Sequence, residues 1–293
     1  MRNDRSGDIV KIDFGCVKKK VVDLKFRGAT MKKICKDAKD FLKLLNGLVQ
    51  NDLKARYSGS MLGMVWAYVQ PMVTILVFWY VFQVGFRNSP VDDVEYILWF
   101  IAGYIPWTYF NDAISSSSNV MYEYSYLVKK MKFKTWMLPI IKVLSSFYIH
   151  FYFIIFILGM YLLYGYDFKF AWLSTFYYSA IFTILIIGLA YLCATLSVFF
   201  KDFSHVVNIV LQIGFWLAPI FWSETSMSEN VLRILKRNPV YYIITGYRES
   251  LMYGVGFWEH TDMALWYWGC SFGFLLLGVF VYKKLKVHFA DLL

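Results

Sequence analysis

Residues able to do chemistry are sparse and scattered in this sequence. No Ser, His and Asp set stands out, and His150, His205, His260 and His288 are widely separated. Each histidine reads as a satisfied or merely solvated side chain. Cys16, Cys35, Cys193 and Cys270 form no close pair of the metal-binding or redox type. A glycine-rich phosphate loop ending in Lys and Ser or Thr is absent, and Gly85, Gly103, Gly159, Gly188 and Gly214 are strewn through apolar runs. Enzymatic chemistry by this chain itself is therefore not expected. What stands out instead is polar groups in apolar surroundings: Gln70, Gln212, the Asn111–Asp112 step and the serines 115 to 118. An amide facing hydrocarbon leaves its donors and acceptors unpaired, at a cost on the order of several kcal/mol, so such groups must face protein or water.

The surroundings are those of a membrane protein. Of 293 residues, 59% are hydrophobic, 21% aromatic and only 17% charged, against roughly 25% charged in a soluble domain. Several runs reach the ~20 residues that cross a bilayer as helix. The expected spans are about 62–86, 96–120, 138–164, 172–200, 205–222 and 263–282, with the mixed segment 223–262 between the last two. The fold expected is thus all-α and integral to the membrane, with six transmembrane helices. Before them, Phe41, Leu44, Leu45 and Leu48 make one apolar stripe on a helix at 37–57. A soluble core helix would look the same, but no soluble core surrounds this one, so a helix lying in the membrane interface is expected. Residues 1–36 form a basic extension. In the last span, Gly269 and Gly273 have the small-xxx-small spacing that lets helices approach closely.

Charge sets the orientation. The net charge is +10, and residues 1–61 carry fifteen Lys or Arg. Segment 121–136 carries Lys129, Lys130, Lys132 and Lys134, and the C-terminal tail carries Lys283, Lys284 and Lys286. The short loops on the other side carry Arg87 and Lys169 alone. By the positive-inside rule both termini are cytoplasmic and 223–262 is external. The positive charge sits beside hydrophobic spans, which favours an anionic membrane surface over nucleic acid as its partner.

Residues 51–66, Asn-Asp-Leu-Lys-Ala-Arg-Tyr-Ser-Gly-Ser-Met-Leu-Gly-Met-Val-Trp, and Pro71 beyond them resemble the start of the first span in type-2 ABC exporter permeases. Leu127–Phe133 with Leu138–Pro139, Lys201–Phe203, Gln212–Trp222, Asn238–Pro239, Gly246–Arg248 and Tyr253–Gly254 match that family in order. Phe257–His260 and His288–Asp291 are similar to its teichoic acid export branch. Lys134 stands where many members carry proline. The resemblance covers roughly residues 38–293.

The resemblance implies a permease that moves a lipid-linked O-antigen, capsule or teichoic acid polymer across the bacterial plasma membrane. It also implies a homodimer bound to two separate ATPase subunits, which hold the ATP and Mg; this chain would need no cofactor. Contact with the ATPase falls to Glu123, Tyr126, Lys129, Lys130, Lys201 and Asp202. Arg56 and Tyr57 stand where the interfacial helix meets the first span, within reach of lipid phosphate or a partner carboxylate. The polymer path is expected along Trp66, Gln70 and Tyr80 of the first span and Gln212, Phe215 and Trp216 of the fifth. Asn208, Pro219 and Trp222 fall on the same helical side of that span. Aromatic rings offer flat apolar faces to sugars, though anchoring at the membrane interface would also explain them. Two other readings remain: a membrane-embedded glycosyl or acyl transferase, which needs an acid or histidine pair facing a cavity, and a non-catalytic membrane scaffold.

Overall fold

Apolar runs that leave no backbone group to water must pair their N–H and C=O groups within the segment, and the chain does so as helix. A computed structural model describes residues 31–86, 94–129, 134–224, 227–259 and 261–293. Residues 1–30, Lys130 and His260 lie outside the described residues. Helix α1 is Met31–Arg56, longer at its start than the 37–57 expected. The chain divides into two units at Asn51, and the helix end Asp52–Arg56 belongs with the bundle.

The bundle begins with a 3-10 turn at Gly63–Val65, α2 at Trp66–Trp79 and a π turn at Tyr80–Gly85. Then come α3 (Tyr96–Glu123), α4 (Met137–Leu163), α5 (Ser174–Phe199) and α6 (Phe203–Leu217). After α7 (Glu229–Leu235) and α8 (Pro239–Arg248), α9 (Thr261–Leu285) closes the bundle. Among the described residues, four stretches are long and apolar enough to cross a membrane: Gly63–Gly85, Met137–Leu163, Phe170–Phe199 and Met263–His288. Helix α3 has the length, but Asn111, Asp112 and the serines 115–118 dilute its apolar character. It is also the most enclosed, packing on α4, α5, α6 and α8.

Two expectations need correction. First, the fifth span does not run as helix to 222. Helix α6 stops at Leu217, and Ala218 is extended at φ −75°, ψ 146°, because Pro219 crowds the α conformation of the residue before it. Pro219 and Trp222 therefore leave the helical side assigned to them. At 15 residues, α6 is about 22 Å long, short of a ~30 Å hydrocarbon core. Phe221, just beyond, is instead gripped by Phe78, Phe100 and Phe215 at ring separations of 4.8, 5.4 and 5.0 Å.

The mixed segment 223–262 contributes a packed helix of its own. Asn238 caps α8, its side chain accepting from the Val240 N–H at 3.0 Å, with Pro239 in the first turn. The helix and the π turn Glu249–Tyr253 that follows bury Val240–Ile244, Tyr247, Arg248, Leu251 and Met252. They pack on α3, α5 and α9.

Second, the close helix contact within the chain is not at Gly269 and Gly273, where an added Cβ would meet no described atom within 4 Å. It lies where α5 crosses α9. A Cβ on Gly188 would stand 2.5 Å from the Leu275 nitrogen, and one on Gly278 would run into the Gly188 carbonyl.

At the end of the bundle carrying the basic loop, Val120, Met121, Val128, Leu138, Tyr191, Val198, Tyr282 and Phe289 form one buried cluster. It fixes the short helix Ser125–Val128 that follows α3.

Candidate functional site

A cavity of about 440 Å³ opens between the first span, α3, α4 and α6, within the ~300–1,000 Å³ range of small-molecule sites. Trp66, Gln70 and Thr74 line it from the first span, and Gln212 and Phe215 from the start and middle of the last turn and a half of α6. Helix α3 contributes Tyr104, Trp107, Asn111 and Asp112, and α4 contributes Ser146 and His150. Tyr57, at the entrance to the first span, also lines it. Four of the six expected path residues, Trp66, Gln70, Gln212 and Phe215, thus meet at one cavity.

Tyr80 and Trp216 are not among its lining residues. Tyr80 begins the π turn and is 63% exposed. Trp216 is 62% exposed and stacks on Phe221 with 5.4 Å between rings. One residue along a helix is a turn of about 100°, so Phe215 and Trp216 cannot share a face as closely as their common distance from Gln212 suggests.

Beside the cavity lies a set of charges. Arg56 donates from Nε to Asp52 at 3.2 Å, from one terminal nitrogen to Asp112 at 3.0 Å, and from the other to Ser116 Oγ at 3.2 Å. Of the two partners foreseen for it, lipid phosphate or carboxylate, the carboxylate is the one it has within the chain. Lys142, three residues past Pro139 in α4, reaches Asp52 at 2.8 Å and Glu123 at 2.5 Å. Tyr124 donates its hydroxyl to Asp52 at 2.8 Å, and Ser146 donates to Asp112. Burial opposes the charge on Asp52, but Lys142 and Arg56 outweigh it and hold the carboxyl below its usual range. Burial likewise works against the Arg56 guanidinium, and Asp112 and Asp52 more than restore its charge.

Several polar groups of α3 are thus taken up by protein partners, while Ser117 Oγ has none among the described residues. Asp112 takes Arg56 and Ser146, while Ser115 donates to Asn208 of α6 at 2.8 Å. His150 is only half satisfied. Its Nε2 lies 3.1 Å from the Tyr247 hydroxyl and 3.3 Å from Ser179 Oγ, and its Nδ1 has no partner among the described residues. Its ring stacks on Tyr109 at 4.7 Å. Asp112 and His150 both line the cavity, but Asp112 is ion-paired with Arg56 and no hydrogen bond joins it to His150.

Of the residues expected at the ATPase contact, Glu123, Tyr126 and Lys129 follow one another at the end of α3 and are exposed. Lys201 and Asp202, exposed in the α5–α6 turn, follow the same end of α5; Tyr122 donates to the Ser197 carbonyl there at 3.0 Å. Sequence reasoning passed over Lys142, Ser146 and Trp107. Lys142 had a visible signal: a lone cation in the first turns of an apolar span.

The family described as ABC-2 type transporter matches residues 43–252. Two proteins from Klebsiella pneumoniae, each described as an O-antigen export system permease protein RfbA, are 28% and 26% identical to the chain over 255 residues. Both alignments cover 85% of this chain and 95% of the relative. A protein of the same description from Myxococcus xanthus is 25% identical over 239 residues, 78% of this chain and 86% of its own length.

Proposed function

The chain belongs to the ABC-2 type transporter family, and from that membership we propose that it is the membrane subunit of a polysaccharide exporter. It carries a lipid-linked cell-surface polymer from the cytoplasmic to the outer face of the bacterial plasma membrane, while a separate subunit hydrolyses ATP. The relatives named as O-antigen export permeases support this class of cargo. Residues 257–260 and 288–291 favour the teichoic acid branch within it. The observation that carries the path is the cavity where Trp66 and Gln70 meet Gln212 and Phe215. It offers flat rings beside hydrogen-bonding groups, the mixture a sugar requires.

Two copies and two ATPase subunits make the working complex. Gln70 and Gln212 are exposed within one chain, and a second copy supplies what they face besides the cavity. Tyr80 and Trp216 join the path where that copy meets them. Glu123, Tyr126, Lys129, Lys130, Lys201 and Asp202 face the ATPase. Helices α3 and α6 complete six spans, the first part of α1 lies in the interface, and both termini are cytoplasmic. The Lys and Arg asymmetry motivates that topology: a cysteine replacing Lys284 should react with a permeant maleimide only, and labelling by an impermeant reagent from outside would overturn it.

The functional test is co-expression with the ATPase partner, scoring polymer at the cell surface per assembled complex. Phe215→Ala should lower export by about tenfold, the equivalent of the ~1.5 kcal/mol an aromatic contact supplies, with ATP hydrolysis and assembly retained. Leu276→Ala, on the exposed side of α9, should export as the parent does. A Phe215→Ala complex that melts earlier but transports normally per molecule would reduce Phe215 to a packing residue.

A further inference from the structure

The charges beside the cavity alternate in sign along one line: Glu123, Lys142, Asp52, Arg56, Asp112. Side-chain exposure is 3% at Lys142, 1% at Asp52 and 14% at Arg56, but 46% at Glu123 and 43% at Asp112. The middle is thus sealed and both ends are open. Glu123 and Asp112 stand eleven residues apart on α3, about 16 Å along its axis. One end adjoins the short helix Ser125–Val128 and the basic loop; the other lies on the cavity wall. Tyr124 adds a second strand, donating to Asp52 while its ring lies 5.4 Å from the Lys142 ammonium.

We propose that Asp52, Lys142 and Arg56 are positioning residues that couple the loop 121–136 to the cavity, through the end of α1 rather than along α3 alone. Asp52 is contested by two cations. Drawing Glu123 away from Lys142 leaves Asp52 as the one carboxylate on that buried ammonium among the described residues. Asp52 then holds Arg56 less, and Arg56 turns to Asp112 on the cavity wall. Because the three central groups are shielded from water, the exchange is not screened as it would be on a surface. Movement of the cavity wall feeds back on the loop by the same steps, as reciprocity of coupling requires. That the loop meets an ATPase rests on the function proposed above; that the loop and the cavity are coupled does not.

The first test needs the permease alone. In purified protein, Asp112→Asn should change the rate of tryptic cleavage at Lys129 and Lys130 by about fivefold or more, while the melting temperature stays near the parent's. An unchanged rate overturns the coupling. The second uses the complex. Asp52→Asn with Lys142→Met removes both buried charges of a pair together, which spares the fold an unpaired ion and leaves Arg56 with Asp112. Polymer exported per ATP hydrolysed should drop by about tenfold, a ratio that a purely structural role would not move. Parental export per ATP overturns the role in transport. If the double variant does not assemble, the cleavage measurement still decides the coupling. If no ATPase binds even the parent, the proposed function fails, and the cleavage result stands on its own.

Discussion

Gly188→Leu should leave almost no folded permease in the membrane, and Gly278→Leu should do the same. Helices α5 and α9 make the most extensive helix contact in the bundle, and these two glycines are where their backbones touch. The atoms a Cβ at 188 would strike are the Leu275 nitrogen at 2.5 Å and the Phe274 carbonyl carbon at 2.7 Å. Main chain within a helix cannot swing aside as a side-chain tip can. Even Gly188→Ala should cost about 2 kcal/mol, within the range for overpacked cores, and leucine must part the helices. Membrane helices gain little from hydrophobic association and depend on such close packing, so parting the two backbones weakens the contact along its length. Gly269→Leu and Gly273→Leu, with open space around them, should be recovered in detergent with the parental yield and melting temperature. A Gly188→Leu protein that melts with the parent would show that the two helices do not meet here.

The glycines illustrate what sequence could and could not convey. Spacing of four picks out pairs that share a face of one helix, such as Gly269 and Gly273. It carries no information on which face meets a neighbour, and Gly188 and Gly278 belong to different helices. The long spans were legible because crossing a bilayer depends on composition and length alone; Met137–Leu163 and Gly63–Gly85 lie within a residue of expectation. It was also legible that Asp112 and its serines must face something polar, since desolvation leaves no alternative. That the partners are Arg56 and Ser146 required the packing of α1's end, α3 and α4. The end of α6 was misjudged although Pro219 announced it, because an apolar window runs on to 222 regardless of backbone. Helix α8 was hidden for the opposite reason: ten residues are too few to span, and burial by three neighbours replaces the length it lacks.

Arg248 should prove irreplaceable by lysine. It is 8% exposed, inside the bundle on α8, with its guanidinium 3.6 Å above the Trp99 ring. Its Nε donates to the Trp99 carbonyl at 3.2 Å, and a terminal nitrogen donates to the Ile220 carbonyl at 3.0 Å. One side chain therefore fastens α8 to α3 and to the stretch beyond α6 that Pro219 has taken out of helix. The Trp99 carbonyl, already an acceptor within α3, takes Arg248 on its second lone pair, and Ile220 has no helical hydrogen bond to give its own carbonyl. Arg248→Met leaves the Ile220 carbonyl unpaired, at about 1–3 kcal/mol, takes the second donor from the Trp99 carbonyl, and forfeits the stacking on Trp99, worth about 2 kcal/mol when desolvated; the relief of no longer burying a cation returns part of this. Arg248→Lys gets no such relief. It keeps the buried charge but loses the planar face and the fork that reaches two acceptors at once. Lysine should thus destabilise at least as much as methionine, by about 2 kcal/mol or more, and hydrogen exchange should rise across 239–253 in both variants before it rises in α5. Were charge alone the requirement, Arg248→Lys would melt with the parent and leave the exchange of α8 untouched; that result would remove Arg248 as the clasp of α8.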